Sequence, residues 1–270
     1  MLVDGRLYVG SDAEMDDAVL AALLADARLP ALKELDLFGN RIGPPGVRDL
    51  MASAKTAGLT MLVLGRNPIG DDGATAIAAR PWPALRQLGL AWTGMGPRGA
   101  AALVAAPALA ALQRVEIGYQ ALGDEAVAPF ARWSELISLS AAKTGLLGPG
   151  ARALMEGGSA EALDLADNLL PEGALGGLGA LSPRLRTLTL KSSGLGALDA
   201  AALAAVAAPG LKNLDLSMTK LGDDGVRALA RAPWLGQLDS LNVLYAGAGP
   251  AGMGALAAAW GSRPGLTPGM

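Results

Sequence analysis

Residues Leu241–Trp260, "LNVLYAGAGPAGMGALAAAW", admit two readings that lead to different folds. In the first, an apolar strand turns through Gly247-x-Gly249-x-x-Gly252 into an alanine-rich helix. That is the outline of a dinucleotide-binding fingerprint, whose glycines let the backbone approach a pyrophosphate at a helix N-terminus. In the second, the stretch is the last copy of a repeat. "GPAGMGALAAA" from Gly249 aligns with "GPRGAAALVAA" from Gly96, and Gly249 takes the place held by Gly43, Gly70, Gly96, Gly123 and Gly222. A dinucleotide fold also needs a later strand bearing an acid about 20 residues past the glycines. After Trp260 the sequence reads "GSRPGLTPGM", too short for that strand. The repeat reading prevails, and no flavin or nicotinamide cofactor is expected.

Working outward from this stretch, the same pattern recurs along the chain. "LKELDLFGNRIG" (Leu32–Gly43), "LTMLVLGRNPIG" (Leu59–Gly70), "LRQLGLAWTGMG" (Leu85–Gly96), "LQRVEIGYQALG" (Leu112–Gly123), "LRTLTLKSSGLG" (Leu185–Gly196) and "LKNLDLSMTKLG" (Leu211–Gly222) share L-x-x-L-x-L-x-x-(N/T/S/Q)-x-(L/I/M)-G. "LISLSAAKTGLLG" (Leu136–Gly148) and "AEALDLADNLLP" (Ala160–Pro171) are weaker copies, and "DGRLYVGSDAEM" (Asp4–Met15) and "LDSLNVLYAGAG" (Leu238–Gly249) are degenerate ends. Ten units result, with starts 24 to 28 residues apart.

The alternation in L-x-x-L-x-L turns one face of a short strand into a core. The polar site that follows (Asn40, Asn67, Thr93, Ser193, Thr219) puts a short side chain where the backbone bends inward, to bond amides and carbonyls that no sheet partner reaches. A helix is expected after each strand. "GDDGATAIAA" from Gly70 and "GDDGVRALAR" from Gly222 place a capping Asp at its start, and Pro97 opens another in the first turn. No unit can bury its apolar face alone, so stacking is the fold.

This resembles the leucine-rich repeat family over about Asp4–Trp260, and its repeat length and helix content resemble the ribonuclease-inhibitor-like subclass. The resemblance implies an α/β, right-handed leucine-rich repeat solenoid (a horseshoe) with a parallel sheet on the concave face. Residues 1–260 are read as one solenoid, with 1–31 and 238–260 as capping units and 261–270 as a flexible tail.

Composition narrows the chemistry. The 270 residues are 51% hydrophobic, enough for a substantial core, but only 4% aromatic, so that core is aliphatic. A net charge of −3 gives no general attraction to nucleic acid or anionic lipid. The absence of Cys and His removes disulfides, thiolate and imidazole metal ligands, and the commonest general base. No metal site is expected. The start, "MLVDGRLYVGSDAEMDD", lacks the basic-then-apolar order of a secretory signal, so a cytoplasmic protein is expected. The richness in Ala, Gly, Pro and Arg suggests a GC-rich bacterial genome.

Function falls on the solvent-facing wall of the strands, at offsets +2, +4, +6 and +7 from each unit's first leucine. Of the ten aromatics (five Trp, three Tyr, two Phe), Tyr8, Phe38, Trp92, Tyr119 and Tyr245 fall there, whereas Trp82, Trp133 and Trp234 precede strands and read as plugs between units. Phe38, Arg66, Trp92 and Tyr119 occupy four successive units, with Glu34, Asp36, Arg114 and Glu116 around them. Aromatics and Arg are the residue types of binding hot spots. The five wall aromatics either bind a partner or pack sideways on one another, and both readings stay open. The acids Asp36, Glu116, Asp164 and Asp215 share offset +4. At about 4.8 Å per strand, Asp36 and Glu116 stand roughly 14 Å apart, beyond the carboxylate spacing of glycosidases. Ser140 and Lys143 lack a glycine-rich oxyanion site. The expectation is a non-enzymatic scaffold, monomeric when alone, that grips another protein on its concave face. The alternatives are a GTPase-activating regulator, an activity of one branch of the subclass that no motif here carries over, and a stand-alone sensor module acting with a separate effector.

Overall fold

The structure, a computed structural model, describes residues 2–268. The chain forms two compact units. The first holds the residues up to Leu122 together with Trp133–Leu136, and the second holds Gly123–Arg132 and the chain from Ile137 onward. Each is a leucine-rich repeat solenoid of the expected α/β class, its strands neighbouring one another in chain order.

In the first unit, β2 (Arg6–Tyr8), β3 (Glu34–Asp36), β4 (Met61–Val63), β5 (Gln87–Gly89) and β6 (Arg114–Glu116) are parallel, and β1 (Leu2–Val3) pairs antiparallel with β2. Helices α1 (Asp17–Ala25), α2 (Pro44–Ala52), α3 (Gly70–Ala78) and α4 (Pro97–Ala105) alternate with the strands. The second unit contains α5 (Asp124–Val127), β7 (Ser138–Ser140), α6 (Gly148–Gly157), β8 (Ala162–Asp164), β9 (Thr187–Thr189) and α7 (Ala197–Ala205). It continues through β10 (Asn213–Asp215), α8 (Gly222–Ala230), β11 (Ser240–Asn242), α9 (Pro250–Trp260) and β12 (Leu266–Thr267). Residues 261–270, read from the sequence as a tail, thus hold a strand, which pairs parallel with β11 through Leu241 and Leu266.

The leucine register is the one the sequence predicts. Leu35, Leu62 and Leu88 lie opposite one another on β3–β5, and Leu163, Leu188 and Leu214 on β8–β10. These, with Leu37, Leu64, Leu90, Leu190 and Leu216, are buried. Each contributes about 2 kcal/mol of apolar burial. Trp82, Trp133 and Trp234 are also buried.

The polar position after the strand forms the expected ladder where it is Asn or Gln, whereas Ser193 and Thr219 bond only their own turn. Asn67 Nδ2 donates to the carbonyls of Leu37, Leu64 and Gly65, and its Oδ1 accepts from the N–H of Ile42. Asn40 does the same one repeat earlier, and Gln120 and Asn168 serve later repeats. Each side chain bonds its own repeat and its predecessor, tying backbone groups that water cannot reach.

Two expectations about the helices are corrected. The first concerns Asp71 and Asp223, expected to cap their own helices. The N-caps of α3 and α8 are Ile69 and Leu221, with no side-chain cap. Asp71 Oδ1 instead accepts from the N–H groups of Gly96 (2.7 Å) and Gly99 (2.8 Å), at the start of the next helix, α4. Asp223 does the same for Gly249 (2.7 Å) and Gly252 (2.9 Å) at α9. Asp17 reaches Gly43 at α2, and Asp124 reaches Leu147 at α6. Side-chain bonds of a helix tilt towards its N-terminus, so an acid in the first turn overhangs that end and reaches the neighbour. Each receiving helix carries proline in its first turn, at Pro44, Pro97, Pro149 or Pro250. A Cβ on Gly99 would stand 2.8 Å from Asp71 Oδ1, and one on Gly252 2.6 Å from Asp223 Oδ1, so glycine is required there. Two of the three glycines of the apparent dinucleotide fingerprint, Gly249 and Gly252, therefore already hold an anion, the carboxylate of Asp223.

The second correction concerns the crossover from β8 to β9, which is turns rather than helix over residues 172–177. Gly173, Gly176, Gly177 and Gly179 crowd this segment, and each costs a helix about 1 kcal/mol relative to Ala. Asp199, fully buried in α7, reaches back and accepts from Gly173 (3.1 Å) and Leu175 (2.9 Å), besides Gly196 of its own helix (3.1 Å).

Asp71 and Asp72 both pair with Arg98 (3.5 Å and 2.6 Å), but only Asp71 caps α4. Asp71→Ala is expected to destabilise the protein by about 2 kcal/mol, leaving two amides without an acceptor. Asp72→Ala should cost less than about 0.5 kcal/mol, as an exposed ion pair. Urea unfolding midpoints at unchanged m-value compare the two, and equal losses would disprove the inter-repeat cap.

Candidate functional site

The solvent-facing wall of the first unit is shaped by one backbone torsion repeated at each turn. The residue just before each ladder position is left-handed: φ is 74° at Gly39, 54° at Arg66, 60° at Trp92 and 62° at Tyr119. Glycine adopts this region freely, and other residues pay about 1 kcal/mol or more. The conformation is held by hydrogen bonds to the next repeat, from Gly39 N–H to Gly65 O, Arg66 N–H to Ala91 O and Trp92 N–H to Gly118 O (2.8, 2.9 and 3.1 Å). On the other side of the turn, Asp36 Oδ1 accepts from the N–H of Phe38 at 2.9 Å.

This geometry brings four sequence-predicted residues into one stack. Trp92 and Tyr119 lie face to face, with ring centroids 4.6 Å apart and planes inclined by 12°. The Arg66 guanidinium carbon sits 5.5 Å from the Trp92 ring centroid and 5.6 Å from that of Phe38. The order is ring, cation, ring, ring. Phe38 lies over Gly65, where a Cβ would meet its ring at 2.9 Å. Sideways packing is therefore present, yet Phe38 stays 41% and Trp92 45% exposed, while Tyr119 is half-buried. Next to the stack lies an open depression of about 570 Å³ between Arg66 and Trp92, with Pro68, Gly70 and Gly94 in its lining. Sequence reasoning missed Pro68 and Gly94, which sit beyond the strand, in the turn that leads to the helix.

The remaining predicted residues surround the stack without joining it. Asp36 is half-buried and engaged by the Phe38 amide. Arg114 and Glu116 are exposed on β6. Tyr8 is not part of the stack: its hydroxyl donates to Glu34, which holds the phenol above its ordinary pKa, and Arg6 pairs with Glu34 at 3.0 Å. Tyr245, in the second unit, is 62% exposed on the same left-handed step, with φ of 57°.

Three of the four offset +4 acids have backbone duties, and the fourth, Glu116, is exposed. Asp164 Oδ1 accepts from Ala166 N–H (3.0 Å) and Asp215 Oδ1 from Ser217 N–H (2.8 Å), as Asp36 does for Phe38. Ser140 Oγ donates to Asp164 at 3.1 Å rather than facing Lys143 as a nucleophile would. Among the described residues, no three acidic side chains gather as a metal site, and no helix is long and apolar enough to cross a membrane.

A family model described as "Leucine Rich repeat" matches residues 29–51, 59–78 and 210–230, so the chain contains leucine-rich repeats. No curated protein matches the sequence. Among solved structures, the chain is similar to one in the yeast Rad7 and Elc1 complex, at 17% identity over 96% of this chain and 73% of that one, with a TM-score of 0.49. It is similar to an internalin (inlF) of Listeria monocytogenes at 18% identity over 88% and 75%, TM-score 0.47. A chain of the mouse RP105/MD-1 complex aligns at 18% identity over 80% and 42%, TM-score 0.48.

The left-handed step makes Trp92 a position where glycine suits the backbone better than any side chain. Trp92→Gly loses a stacking contact and a cation–π contact of about 1 kcal/mol each and regains about 1 kcal/mol of backbone strain. Its stability should fall within about 1 kcal/mol of the parent. Trp92→Val, β-branched on the same step, should be less stable than Trp92→Gly by at least about 1 kcal/mol. Thermal unfolding of the two variants checks the ranking.

Proposed function

We propose that this leucine-rich repeat protein is a non-enzymatic scaffold of the ribonuclease-inhibitor-like kind, which grips another protein with the solvent-facing side of its sheet. The anchor is the Phe38–Arg66–Trp92–Tyr119 stack, and Asp36, Arg114 and Glu116 form its polar rim. One observation carries the reading. Arg66, Trp92 and Tyr119 are held on left-handed backbone where Gly39 shows that glycine fits, and they remain exposed or half-exposed. Bulky aromatic groups on a solvent-facing step that glycine fits as well add little to their own fold. Large, pre-ordered aromatics beside an Arg are the groups that carry interface energy. The stack orders its own side chains before any partner arrives, which removes part of the entropy cost of association.

Co-purification from the native host, with the partner identified by mass spectrometry, supplies the ligand for the test. Truncating a central anchor costs about 2 kcal/mol, or roughly thirtyfold in affinity. Trp92→Ala and Tyr119→Ala should therefore weaken the partner about thirtyfold while lowering stability by no more than about 1 kcal/mol. Trp133→Ala, which empties a buried site, should do the reverse, destabilising by about 3 kcal/mol or more and leaving the affinity of the folded fraction unchanged. A Trp92→Ala protein that binds as tightly as the parent rules the site out.

A further inference from the structure

We infer that the depression beside Arg66 is a receptor for a carboxylate, and that the partner docks there with the acidic side chain of a Glu or Asp. This rests on the scaffold reading and names the chemistry of its central contact. The first ground is the state of Arg66. Its guanidinium touches the rings of Phe38 and Trp92 and, among the described residues, makes no hydrogen bond and no ion pair. Several arginines of the same unit spend their donors, and of those that do not, Arg66 is the one whose guanidinium is held over two rings. Arg6 holds Glu34 at 3.0 Å, Arg41 holds Glu14 at 2.9 Å, and Arg80 donates to the carbonyls of Leu50 and Ser53. Arg66 is thus a charged fork fixed in orientation with its hydrogen-bonding capacity unspent.

The second ground is the charge of the depression itself. Among the described residues, Arg66 is the only charged side chain lining it, against the Trp92 ring and the small surfaces of Pro68, Gly70 and Gly94. The acids next along the chain are occupied: Asp71 by the amides of Gly96 and Gly99, Asp72 by Arg98 at 2.6 Å. The complement is one negative charge on an apolar stem. A carboxylate satisfies the fork with two parallel N–H···O bonds, and the methylenes of a Glu or Asp side chain lie on the indole. Because both rings already hold the guanidinium, less side-chain freedom is lost on binding than at a free arginine. The volume, about 570 Å³, admits a side chain and its adjoining backbone.

The probe is N-acetylglutamate amide, titrated into the full-length protein at constant ionic strength. The readout is the N–H resonances of Arg66 Nε and Trp92 Nε1 in two-dimensional NMR. The expected result is a saturable, millimolar-range shift of both, absent with N-acetylglutamine amide and weakened about tenfold or more in Arg66→Gln. Arg66→Lys keeps the charge without the fork and should bind several-fold more weakly than the parent. Circular dichroism on each variant confirms that the fold is retained. No saturable shift with the glutamate probe overturns the proposal, as does an equal response to the glutamine probe. Inorganic phosphate binding as tightly as the carboxylate overturns it too, since the site would then select any anion. If Trp92→Ala loses the partner but the glutamate probe gives no response, this inference fails and the scaffold reading stands. If the probe binds as expected but Trp92→Ala keeps the partner at full affinity, the carboxylate receptor stands, but the scaffold reading of this site fails and the docking of the partner here is overturned with it.

Discussion

One residue after the second core leucine of each repeat, the backbone turns inward and carries amides and carbonyls out of reach of both sheet and water. Leaving such groups unpaired costs about 1–3 kcal/mol apiece, and the cost recurs at every repeat. Asn40, Asn67, Gln120 and Asn168 meet it by bonding their own turn and the preceding one. The strands are only three residues long. On their own they could not hold a register, so the ladder fixes the distance and orientation at which successive leucines meet.

The same turn creates the exposed stack. For Asn67, Thr93 and Gln120 to point inward, the residues before them must take the left-handed torsion, which throws Arg66, Trp92 and Tyr119 outward. Adjacent repeats then set these side chains a strand spacing apart, close to the separation at which rings and guanidinium groups stack. Interior amide satisfaction and the exposed stack are two sides of one backbone geometry, which is how side chains on the surface come to be ordered against one another.

Features that repeat were legible in the sequence, because a residue's role could be checked against its equivalents. The burial of Leu37 and Leu90 and the inward ladder at Asn40 and Asn67 followed from period alone. The wall positions of Phe38, Arg66, Trp92 and Tyr119 followed from the same register, but their order of stacking depends on side-chain torsions that period does not specify. Asp71 misled because an acid at a helix start fits a local cap equally well, and only the stacked neighbour reveals the nearer amides. The missing helix after β8 did leave a signal in Gly173, Gly176, Gly177 and Gly179, which repeat periodicity overrode. Leu266–Thr267 is too short to carry alternation, so its pairing with β11 had no sequence signature.

The carboxylate bridges between helices make the repeats non-equivalent. Asp17 serves the helix of Pro44, Asp71 that of Pro97, Asp124 that of Pro149 and Asp223 that of Pro250, while Asp199 serves the helix-free segment after Pro171 from the opposite direction. Donor and acceptor repeats therefore come in couples, like halves of a hinge. Excising one repeat would set an unserved proline start, or an acid with nothing to bind, against its new neighbour. Excising a couple would restore the original joint. The modular unit by which such a chain can be lengthened, shortened or recombined is thus the couple, twice the visible repeat.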